Sequence, residues 1–431
     1  MASYAVQPLA RPPDVDLTLP GSKSFTNRAL LIATLAEGRS LIREALLSDD
    51  TRHMANGLRA LGFTVEIDVA RREFAVEGLG GRIPSAQASL DVGNAGTAAR
   101  FLTAALALGS GRYHLDGASR MRQRPAQPLL DALRQLGANA YAVNGDGCPP
   151  VVVEGGPVSG GRVEVDGRQS SQFASALMLV GPVLRDGLTI EVTGGVVSEP
   201  FLRLTAASMR SFGASPELET SGGRLVIAVP PTGYRARDYL VEPDATAASY
   251  FLAAAALTGG RVRVRGLGRG SAQGDLRFVD LLARLGARCE IADGYVEVVG
   301  ARYGTGLRGL EVDMGEISDT WMTLAALAPF ALEPVTIRGV AHTRRQESDR
   351  VSAMAAELRR LGARVDEAGD GLTVHPSSSA LRGAAVRTYD DHRIAMSLAL
   401  VGLRVPGVVI EGAECVSKTF PEFFAALERL R

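Results

Sequence analysis

The sequence predicts an α/β protein built from six copies of one unit, each reading as strand, helix, strand, helix and hairpin. Two repeated patterns support this fold class. A polar cluster followed by an apolar helical run recurs at intervals of about 74 residues. A second helix that ends in a Leu-Gly or Phe-Gly signature recurs at the same interval. Short segments of alternating apolar and polar residues between them are typical of strands.

The first helix of each copy follows a polar cluster. The first copy reads SKSFTNRALLIATLA, and the other clusters begin at Asn94, Arg168, Glu242, Ile317 and Asp390. A short strand follows each run, as in RYHLDGA and RVRVRGL. These segments give each copy its first helix and its next strand.

The second helix of five copies ends at a glycine that we expect to adopt the left-handed C-cap conformation. These glycines are spaced 73 to 76 residues apart and are Gly62, Gly137, Gly213, Gly286 and Gly362. A hairpin is predicted after them, with an Asp-Gly turn in CEIADGYVEVVG. In the sixth copy the C-terminus cuts the unit short at FAALERLR. A solenoid is the alternative, but its repeats usually span roughly 20–45 residues, so globular domains are favoured.

The composition limits the classes of partner. Lys+Arg and Asp+Glu both number 47 in 431 residues, and this zero net charge argues against a nucleic-acid partner. Three cysteines lie far apart without a CxxC pair, as in proteins of a reducing compartment. Five scattered histidines lack metal-ligand spacing, so we expect no metal. With no secretory signal or apolar stretch long enough for a bilayer, we expect a cytoplasmic protein without a membrane partner.

The polar clusters fall where the first helices begin, which is a favourable place for an anion because unpaired N–H groups and the helix dipole point there. Ser, Asp and Asn are also common N-caps, so any one cluster could serve only as a cap. Capping does not explain the basic residues that accompany the clusters, because cations there oppose the dipole. We therefore predict that these residues face an anion: Lys23, Arg28, Arg100, Arg168 and Arg393.

Further charged residues could belong to the same site or to a solvated surface. The basic ones are Arg120, Arg122, Arg124, Arg350 and Lys418. Asp319 and Glu347 lie in ISDTW and QESDR, where an acid could be a helix cap or a general acid or base. GSKS at 21–24 lacks the rest of a phosphate-binding P-loop, which argues against a nucleotide hydrolase.

Seven motifs, in this order and spacing, resemble the EPSP synthase family: LPGSKSFTNRALLIATLA, NAGTAARF, RMRQRP, SSQF, QESDR, TYDDHR and SKTFP. The resemblance runs from about Pro20 to Pro421. It implies two domains of three βαβαββ units each, of the inside-out α/β barrel type. The first domain would span 22–240 and the second 1–21 plus 241–431, with the active site in the cleft between them.

The resemblance also implies a reaction. The family transfers the enolpyruvyl group of phosphoenolpyruvate to the 5-hydroxyl of shikimate 3-phosphate, in the shikimate pathway to chorismate and the aromatic amino acids. It implies no metal or organic cofactor. We expect a monomer. Glyphosate would compete with phosphoenolpyruvate, and the residue at Gly96 would control access to that pocket.

The resemblance assigns residues to each substrate. Those for shikimate 3-phosphate would be Lys23, Ser24, Arg28, Ser170, Ser171, Gln172, Ser198, Asp319 and Gln346. Those for phosphoenolpyruvate would be Lys23, Asn94, Gly96, Arg124, Gln172, Arg350, Arg393 and Lys418, with Arg100 framing the pocket. Asp319 would be the base for the hydroxyl, and Glu347 the proton donor to C3, with Lys23 as its partner. Arginine forks suit phosphate and carboxylate, and hydroxyls and amides can donate to phosphate oxygens.

Three positions depart from the common family pattern and concern the shikimate pocket. Gln346 stands where Lys is frequent, His342 where Asn is common, and Phe201 where Tyr is frequent.

The nearest alternative is the enolpyruvyl transferase that acts on UDP-N-acetylglucosamine. That family usually has Cys in the loop corresponding to 111–125, which lacks it here, and Asn at the position of Ser24. A non-catalytic protein of the same fold, or a repeat protein that binds nucleic acid, is the alternative from another class.

Overall fold

The structure, a computed structural model, describes residues 2–156, 158–221, 224–301, 306–377 and 379–431. The chain divides into two compact units, Gly21–Val241 and Met1–Pro20 with Glu242–Arg431. None of the helices in the described ranges combines the length and hydropathy of a membrane-spanning segment.

Helices and short strands alternate along the chain. The helices are α1 (Lys23–Leu35), α2 (Asp49–Ala60), α3 (Gly96–Leu106), α4 (Gln127–Gln135), α5 (Gln172–Val180), α6 (Pro200–Ser211), α7 (Ala245–Thr258), α8 (Phe278–Arg284), α9 (Trp321–Leu327), α10 (Arg350–Arg360), α11 (His392–Gly402) and α12 (Phe423–Glu428). The strands are β1 (Ser3–Ala5), β2 (Asp14–Leu17), β3 (Glu37–Arg43), β4 (Val65–Asp68), β5 (Glu73–Leu79), β6 (Gln87–Asp91), β7 (Arg112–Asp116), β8 (Asn139–Ala142), β9 (Val151–Glu154), β10 (Gly161–Asp166), β11 (Leu188–Thr193), β12 (Glu217–Ser221), β13 (Arg224–Val229), β14 (Asp238–Leu240), β15 (Arg261–Arg265), β16 (Arg288–Ile291), β17 (Tyr295–Val299), β18 (Leu310–Asp313), β19 (Val335–Arg338), β20 (Val365–Ala368), β21 (Gly371–Val374), β22 (Ala385–Arg387) and β23 (Val409–Glu411).

Three sheets each contain the four strands of a single copy. Their strand orders are β6-β7-β9-β8, β10-β11-β13-β12 and β18-β19-β21-β20. In each sheet the first two strands are parallel and the hairpin strands are antiparallel, as in β6 with β7 and β8 with β9. A helix crosses between the parallel strands, as parallel pairing requires. The predicted α/β class and its repeated strand, helix, strand, helix and hairpin unit are confirmed.

Two copies exchange their first strands. β2 precedes α1 in the chain but pairs in parallel with β15, in the sheet β16-β17-β15-β2. β14 precedes α7 but pairs in parallel with β3, in the sheet β14-β3-β5-β4. The local repeat patterns do not specify this exchange, whereas the domain bounds that the resemblance implies place 1–21 with 241–431.

The sixth copy is completed by the N-terminus of the chain. Its sheet has the order β1-β23-β22, and β1 is antiparallel to β23 with Ser3 opposite Glu411. The ring of Tyr4 stacks on that of Phe424 at a centroid distance of 4.1 Å. The strand that takes the place of a hairpin in this sheet, β1, comes from the other end of the chain.

The two helices of a copy differ in burial. Every residue of α7, and likewise of α3, α9 and α11, is buried. The second helix of a copy buries only one face. In α4, for example, the buried residues are Leu129, Leu130, Ala132 and Leu133. The Ala-rich first helices therefore lie inside the units, and only their polar ends can serve a ligand.

All five signature glycines have the left-handed conformation that the sequence predicted. Their φ angles lie between 91° and 108° at Gly62, Gly137, Gly213, Gly286 and Gly362. The backbone N–H of Gly286 and Gly362 bonds to the carbonyl three residues earlier. This capping by glycine is confirmed as part of the repeat.

Two of these glycines provide a matched pair of substitutions. At Gly286 an added Cβ would meet nothing within 4 Å, whereas at Gly362 it would lie 2.4 Å from the carbonyl oxygen of Ala380. We expect Gly286→Ala to lower the free energy of unfolding by about 1–2 kcal/mol through backbone strain alone. Gly362→Ala adds a backbone clash and should cost clearly more. Denaturant unfolding of both variants tests this, and equal losses would contradict the contact at Gly362.

Candidate functional site

Arg28 is a buried cation in the unit Gly21–Val241. Its side chain donates to Thr205 Oγ1 at 2.8 Å, to the carbonyl of Ser24 at 3.0 Å and to that of Phe201 at 3.3 Å. It lies over the ring of Phe101 at 5.1 Å. These acceptors are neutral, and burial lowers the pKa of the guanidinium to about 9. An anion beside Arg28 would therefore stabilise its charge.

A chain of polar contacts joins the helices around Arg28. Thr205 on α6 donates to Ser175 Oγ on α5 at 3.0 Å. One turn earlier on α5, Gln172 donates to Thr97 Oγ1 on α3 at 3.5 Å, and its backbone N–H bonds to Ser170 Oγ at 3.1 Å. The structure thus connects α1, α3, α5 and α6 at the ends that carry the predicted residues.

The predicted residues Ser171 and Ser198 lie at two of these helix starts. Ser171 is buried at the N-cap position of α5. Ser198 is buried just before α6 with a left-handed φ of 55°, which is uncommon for serine. Its carbonyl accepts the N–H of Phe201 at 3.1 Å, so it belongs to the turn that also supplies an acceptor to Arg28.

Lys23, the first residue of α1, has a carboxylate beside it. Its Nζ lies 3.5 Å from Oδ2 of Asp50, which is buried on α2. Sequence reasoning missed Asp50, because an acid in the first turn of a helix looks like an ordinary dipole-stabilising residue.

Arg124 lies against the start of α3. Its Nη1 donates to the carbonyl of Asn94 at 3.1 Å and to its Oδ1 at 3.4 Å. A Cβ at Gly96 would lie 2.2 Å from Nη2 of Arg124, so glycine leaves room for the guanidinium. Arg100 donates to the carbonyl of Pro125 at 2.6 Å and holds the loop that carries Arg124.

Two arginines singled out in the sequence pair with surface acids instead. Arg168 lies before α5 rather than in it, and its side chain is 69% exposed and 2.7 Å from Asp166. Arg122 pairs with Asp116 at 2.6 Å. The prediction that Arg168 lies at a helix start was wrong, since α5 begins only at Gln172.

Arg350 is the centre of the predicted residues in the other unit. Its side chain is 1% exposed. It donates to Asp391 at 2.8 Å, to Glu347 at 2.8 Å, to Asp319 at 3.5 Å and to the amide oxygen of Gln346. Burial opposes its charge, but the carboxylates of Asp391 and Glu347 outweigh burial and raise the pKa of the guanidinium. Asp391 is a partner that sequence reasoning missed.

Arg393 and Lys418 complete this cluster. Arg393, on the first turn of α11, donates to Asp319 at 2.6 Å. Burial alone would lower its pKa, and Asp319 and then the phenol of Tyr250 raise it. Lys418 Nζ lies 3.8 Å from Glu347. Asp319 is therefore shared by two arginines, and Glu347 by an arginine and a lysine.

The three cations Arg350, Arg393 and Lys418 face three carboxylates of the same unit, so their formal charges cancel. An anionic ligand would compete with Asp319 and Glu347 for the same donors. If the ligand takes hydrogen bonds from these donors, Asp319 and Glu347 lose part of the cationic stabilisation of their charge. Both carboxylates then take up protons more readily. The arrangement suits acid and base chemistry on a polyanion. In the described ranges, no group of three or more His, Cys, Asp or Glu side chains is arranged to hold a metal ion.

The residues that depart from the family pattern have definite positions. His342 Nε2 lies 2.9 Å from Oγ of Ser318, next to Asp319, and burial lowers the pKa of its imidazole. Gln346 bonds to Arg350 through its amide oxygen. Phe201 takes part through its backbone carbonyl, which accepts from Arg28 and Thr205.

Asp275 is a buried acid near this cluster that sequence reasoning missed. Its carboxylate accepts a hydrogen bond from the hydroxyl of Thr246 on α7. Burial, and then the charge of Asp319, raises the pKa of Asp275 to about 7. No sequence signal distinguished it from a surface acid in the segment QGDLRF.

Comparison with known proteins identifies relatives along the whole chain. A family model described as EPSP synthase (3-phosphoshikimate 1-carboxyvinyltransferase) matches residues 12–427. A 3-phosphoshikimate 1-carboxyvinyltransferase of Trichormus variabilis is 43% identical over 98% of both chains. That of Aliivibrio fischeri is 43% identical over 100% of both chains. That of Serratia proteamaculans is 44% identical over 99% of this chain and 98% of the relative.

Solved structures with the same fold include an EPSP synthase of Acinetobacter baumannii. It has a TM-score of 0.80 at 25% identity and covers 99% of this chain and 98% of its own. An enolpyruvyl transferase of Streptomyces tendae has a TM-score of 0.75 at 20% identity and covers 99% of this chain and 97% of its own. At this identity it supports the fold alone.

The raised pKa of Asp275 predicts how stability depends on pH. Between its unfolded value of about 4 and its folded value of about 7 the folded chain binds the extra proton, so this residue makes stability fall as pH rises. Asp275→Asn still accepts from Thr246 and does not titrate. We expect its melting temperature, relative to the wild type, to increase from about pH 5 to about pH 8. A difference that stays constant over this range would contradict the assignment.

Proposed function

Because the chain belongs to the EPSP synthase family, we propose that its buried clusters of cations and carboxylates carry out that family's reaction. The enolpyruvyl group of phosphoenolpyruvate is transferred to the 5-hydroxyl of shikimate 3-phosphate, which gives 5-enolpyruvylshikimate 3-phosphate and phosphate. The observation that carries the assignment of roles is the sharing of Asp319 and Glu347 by Arg350, Arg393 and Lys418.

Shikimate 3-phosphate is assigned to residues around Arg28. The buried guanidinium has neutral acceptors and three of its five N–H groups engaged, so the shikimate carboxylate can supply the missing counter-charge. The hydroxyls and amide at the starts of α5 and α6 would donate to the 3-phosphate, and they belong to Ser170, Ser171, Gln172 and Ser198. Ser24 would assist Arg28.

Phosphoenolpyruvate is assigned to a set of cations and small polar groups. Its phosphate and carboxylate match the forks of the arginines, and the two lysines act as compact point charges. The proposed set is Lys23, Asn94, Gly96, Arg124, Gln172, Arg350, Arg393 and Lys418. As these anions take over hydrogen bonds from Arg350 and Arg393, the carboxylates of Asp319 and Glu347 become better proton acceptors.

The proposed first step is addition. Asp319 takes the proton of the 5-hydroxyl while the hydroxyl oxygen bonds to C2 of phosphoenolpyruvate. Glu347, with Lys23 as partner, delivers a proton to C3. In the second step C3 gives a proton back to Glu347, the C2–O bond to phosphate breaks as the departing phosphate takes the proton held by Asp319, and the C2–C3 double bond re-forms. The clustered cations would stabilise the charge that builds up on the departing phosphate.

Gln346 changes the expected shikimate pocket. Its amide oxygen is bound to Arg350, so it also buttresses a cation assigned to phosphoenolpyruvate. The assignment of Gln346 to shikimate 3-phosphate would then use the amide NH2 group as donor. The monomeric state and cytoplasmic location expected from the sequence stay predictions.

The function is tested by a coupled phosphate-release assay on the purified protein. Phosphate should form only when phosphoenolpyruvate is supplied with shikimate 3-phosphate. Release with UDP-N-acetylglucosamine as acceptor would favour the alternative transferase, and release with neither would exclude both activities.

Asp319→Asn should lower kcat about 100-fold or more, because the amide cannot accept the hydroxyl proton. The KM values should change little, since the amide oxygen can still accept from Arg393. Steady-state kinetics with both substrates measure this. Asp366→Asn is a control, because Asp366 is an exposed acid whose partner is His375. A kcat near that of the wild type would exclude Asp319 as the base.

Gly96→Ala should weaken phosphoenolpyruvate binding, because the new methyl group would displace the guanidinium of Arg124. We expect the wild type to be inhibited by glyphosate in competition with phosphoenolpyruvate. We expect Gly96→Ala to lose far more affinity for this longer inhibitor than for the substrate. In an Arg124→Lys background, the effect of Gly96→Ala on the KM for phosphoenolpyruvate should largely vanish, since both changes act on one group. Additive effects would show that Gly96 acts independently of Arg124.

A further inference from the structure

One position of the repeated second helix carries an unexpected buried charge. The residue five places before the cap glycine is buried in five copies, and these residues are Gly57, Ala132, Ser208, Leu281 and Glu357. Four of them are small or apolar, whereas Glu357 is an acid that is 0% exposed. A buried carboxylate is costly unless hydrogen-bond donors surround it, so its partners indicate its role.

The donors to Glu357 come mainly from the segment that leads into α11. Tyr389 Oη donates to it at 2.7 Å, and the backbone N–H of Arg387 at 3.1 Å. Arg360, on the same helix, donates at 2.8 Å. Burial and the bond to Glu357 raise the pKa of Tyr389 to about 12, so its phenol stays a donor.

This segment has an unusual backbone. Tyr389 and Asp390 both have a φ of 56°, in the left-handed region that residues other than glycine seldom adopt. Three residues before α3 the equivalent place is taken by Gly93, with a φ of 50°. Tyr389 therefore has, before α11, the left-handed conformation that Gly93 has before α3. Because this conformation is unfavourable for tyrosine, neighbouring residues must stabilise it.

Helix α10 contacts the segment on both sides of these two residues. Glu357 and Arg350 are seven residues apart and so lie on the same face of α10. Glu357 binds Arg387 and Tyr389, and Arg350 binds Asp391 at 2.8 Å. The carboxylate of Asp391 in turn accepts the backbone N–H of Arg393 at 3.0 Å.

We propose that Glu357 is a positioning residue, which holds Tyr389 and Asp390 in the left-handed conformation and thereby fixes Arg393 for its anionic substrate. That the substrate is phosphoenolpyruvate rests on the function proposed above. In the described part of the chain, Glu357 bonds to Arg360, Arg387 and Tyr389, none of which is assigned to a substrate, and it acts through the backbone between β22 and α11.

The experiment compares Glu357→Gln, Tyr389→Phe and Tyr389→Gly with the wild type. The Gln variant turns an NH2 group toward donors, and the Phe variant removes the hydroxyl anchor while the backbone strain remains. Both should exchange the amide hydrogens of 387–393 faster and raise the KM for phosphoenolpyruvate roughly tenfold, with a smaller change in the KM for shikimate 3-phosphate. Tyr389→Gly adopts the left-handed conformation without strain, so it should be less impaired than Tyr389→Phe.

Glu367→Gln is the matched control, because it removes the same charge from an acid that binds Arg344 and Ser352 away from this segment. Unchanged exchange and KM in Glu357→Gln would overturn the proposal. Should that variant not fold, Tyr389→Phe decides, since Tyr389 is partly exposed. Tyr389→Gly as impaired as Tyr389→Phe would also overturn it. A wild type that forms no product would defeat the proposed function, while the exchange measurements would still decide the role of Glu357.

Discussion

The charge of Arg350 can stay buried only because carboxylates from three separate segments surround it. Asp319 precedes α9, Glu347 precedes α10 and Asp391 precedes α11, and each accepts from this guanidinium. Removing one partner of such a buried pair typically costs about 3–5 kcal/mol, because the other charge is left uncompensated. The requirement to satisfy Arg350 therefore fixes the relative positions of three helix starts, which also carry the proposed base and proton donor.

The two units hold their buried cations in different ways. The acceptors of Arg28 among the described residues are neutral, so an incoming carboxylate would add a counter-charge that these acceptors do not supply. Arg350 and Arg393 already have carboxylate partners, so an incoming anion has to share them. The first arrangement favours simple binding, whereas the second couples binding to the proton affinity of two acids. This difference agrees with the assignment of chemistry to Asp319 and Glu347 rather than to residues near Arg28.

Much of the fold could be predicted because the repeat is local. The Ala-rich helices, the hairpins and the cap glycines are each encoded within a few residues. The helices recur in six copies, and the hairpins and cap glycines in five. The exchange of β2 and β14 and the addition of β1 to β23 depend on pairing between distant segments, which a local pattern cannot specify. Family resemblance named the site residues, but their internal partners Asp50, Asp391 and Asp275 look like ordinary helix caps or surface acids in sequence. Glu357 stands out only when its position is compared across the copies.

The exchange of first strands also bears on the order in which the chain can fold during synthesis. Residues 21–241 form one unit from a continuous stretch that ends with β14, so this unit can be completed before the rest is made. β1 and β2 precede this stretch in the chain, yet their partners β23 and β15 are made only after it. Contacts between distant segments form slowly, and unpaired strand edges promote aggregation while they wait. β1 and β2 therefore stay without their partner strands while the whole of residues 21–241 is made.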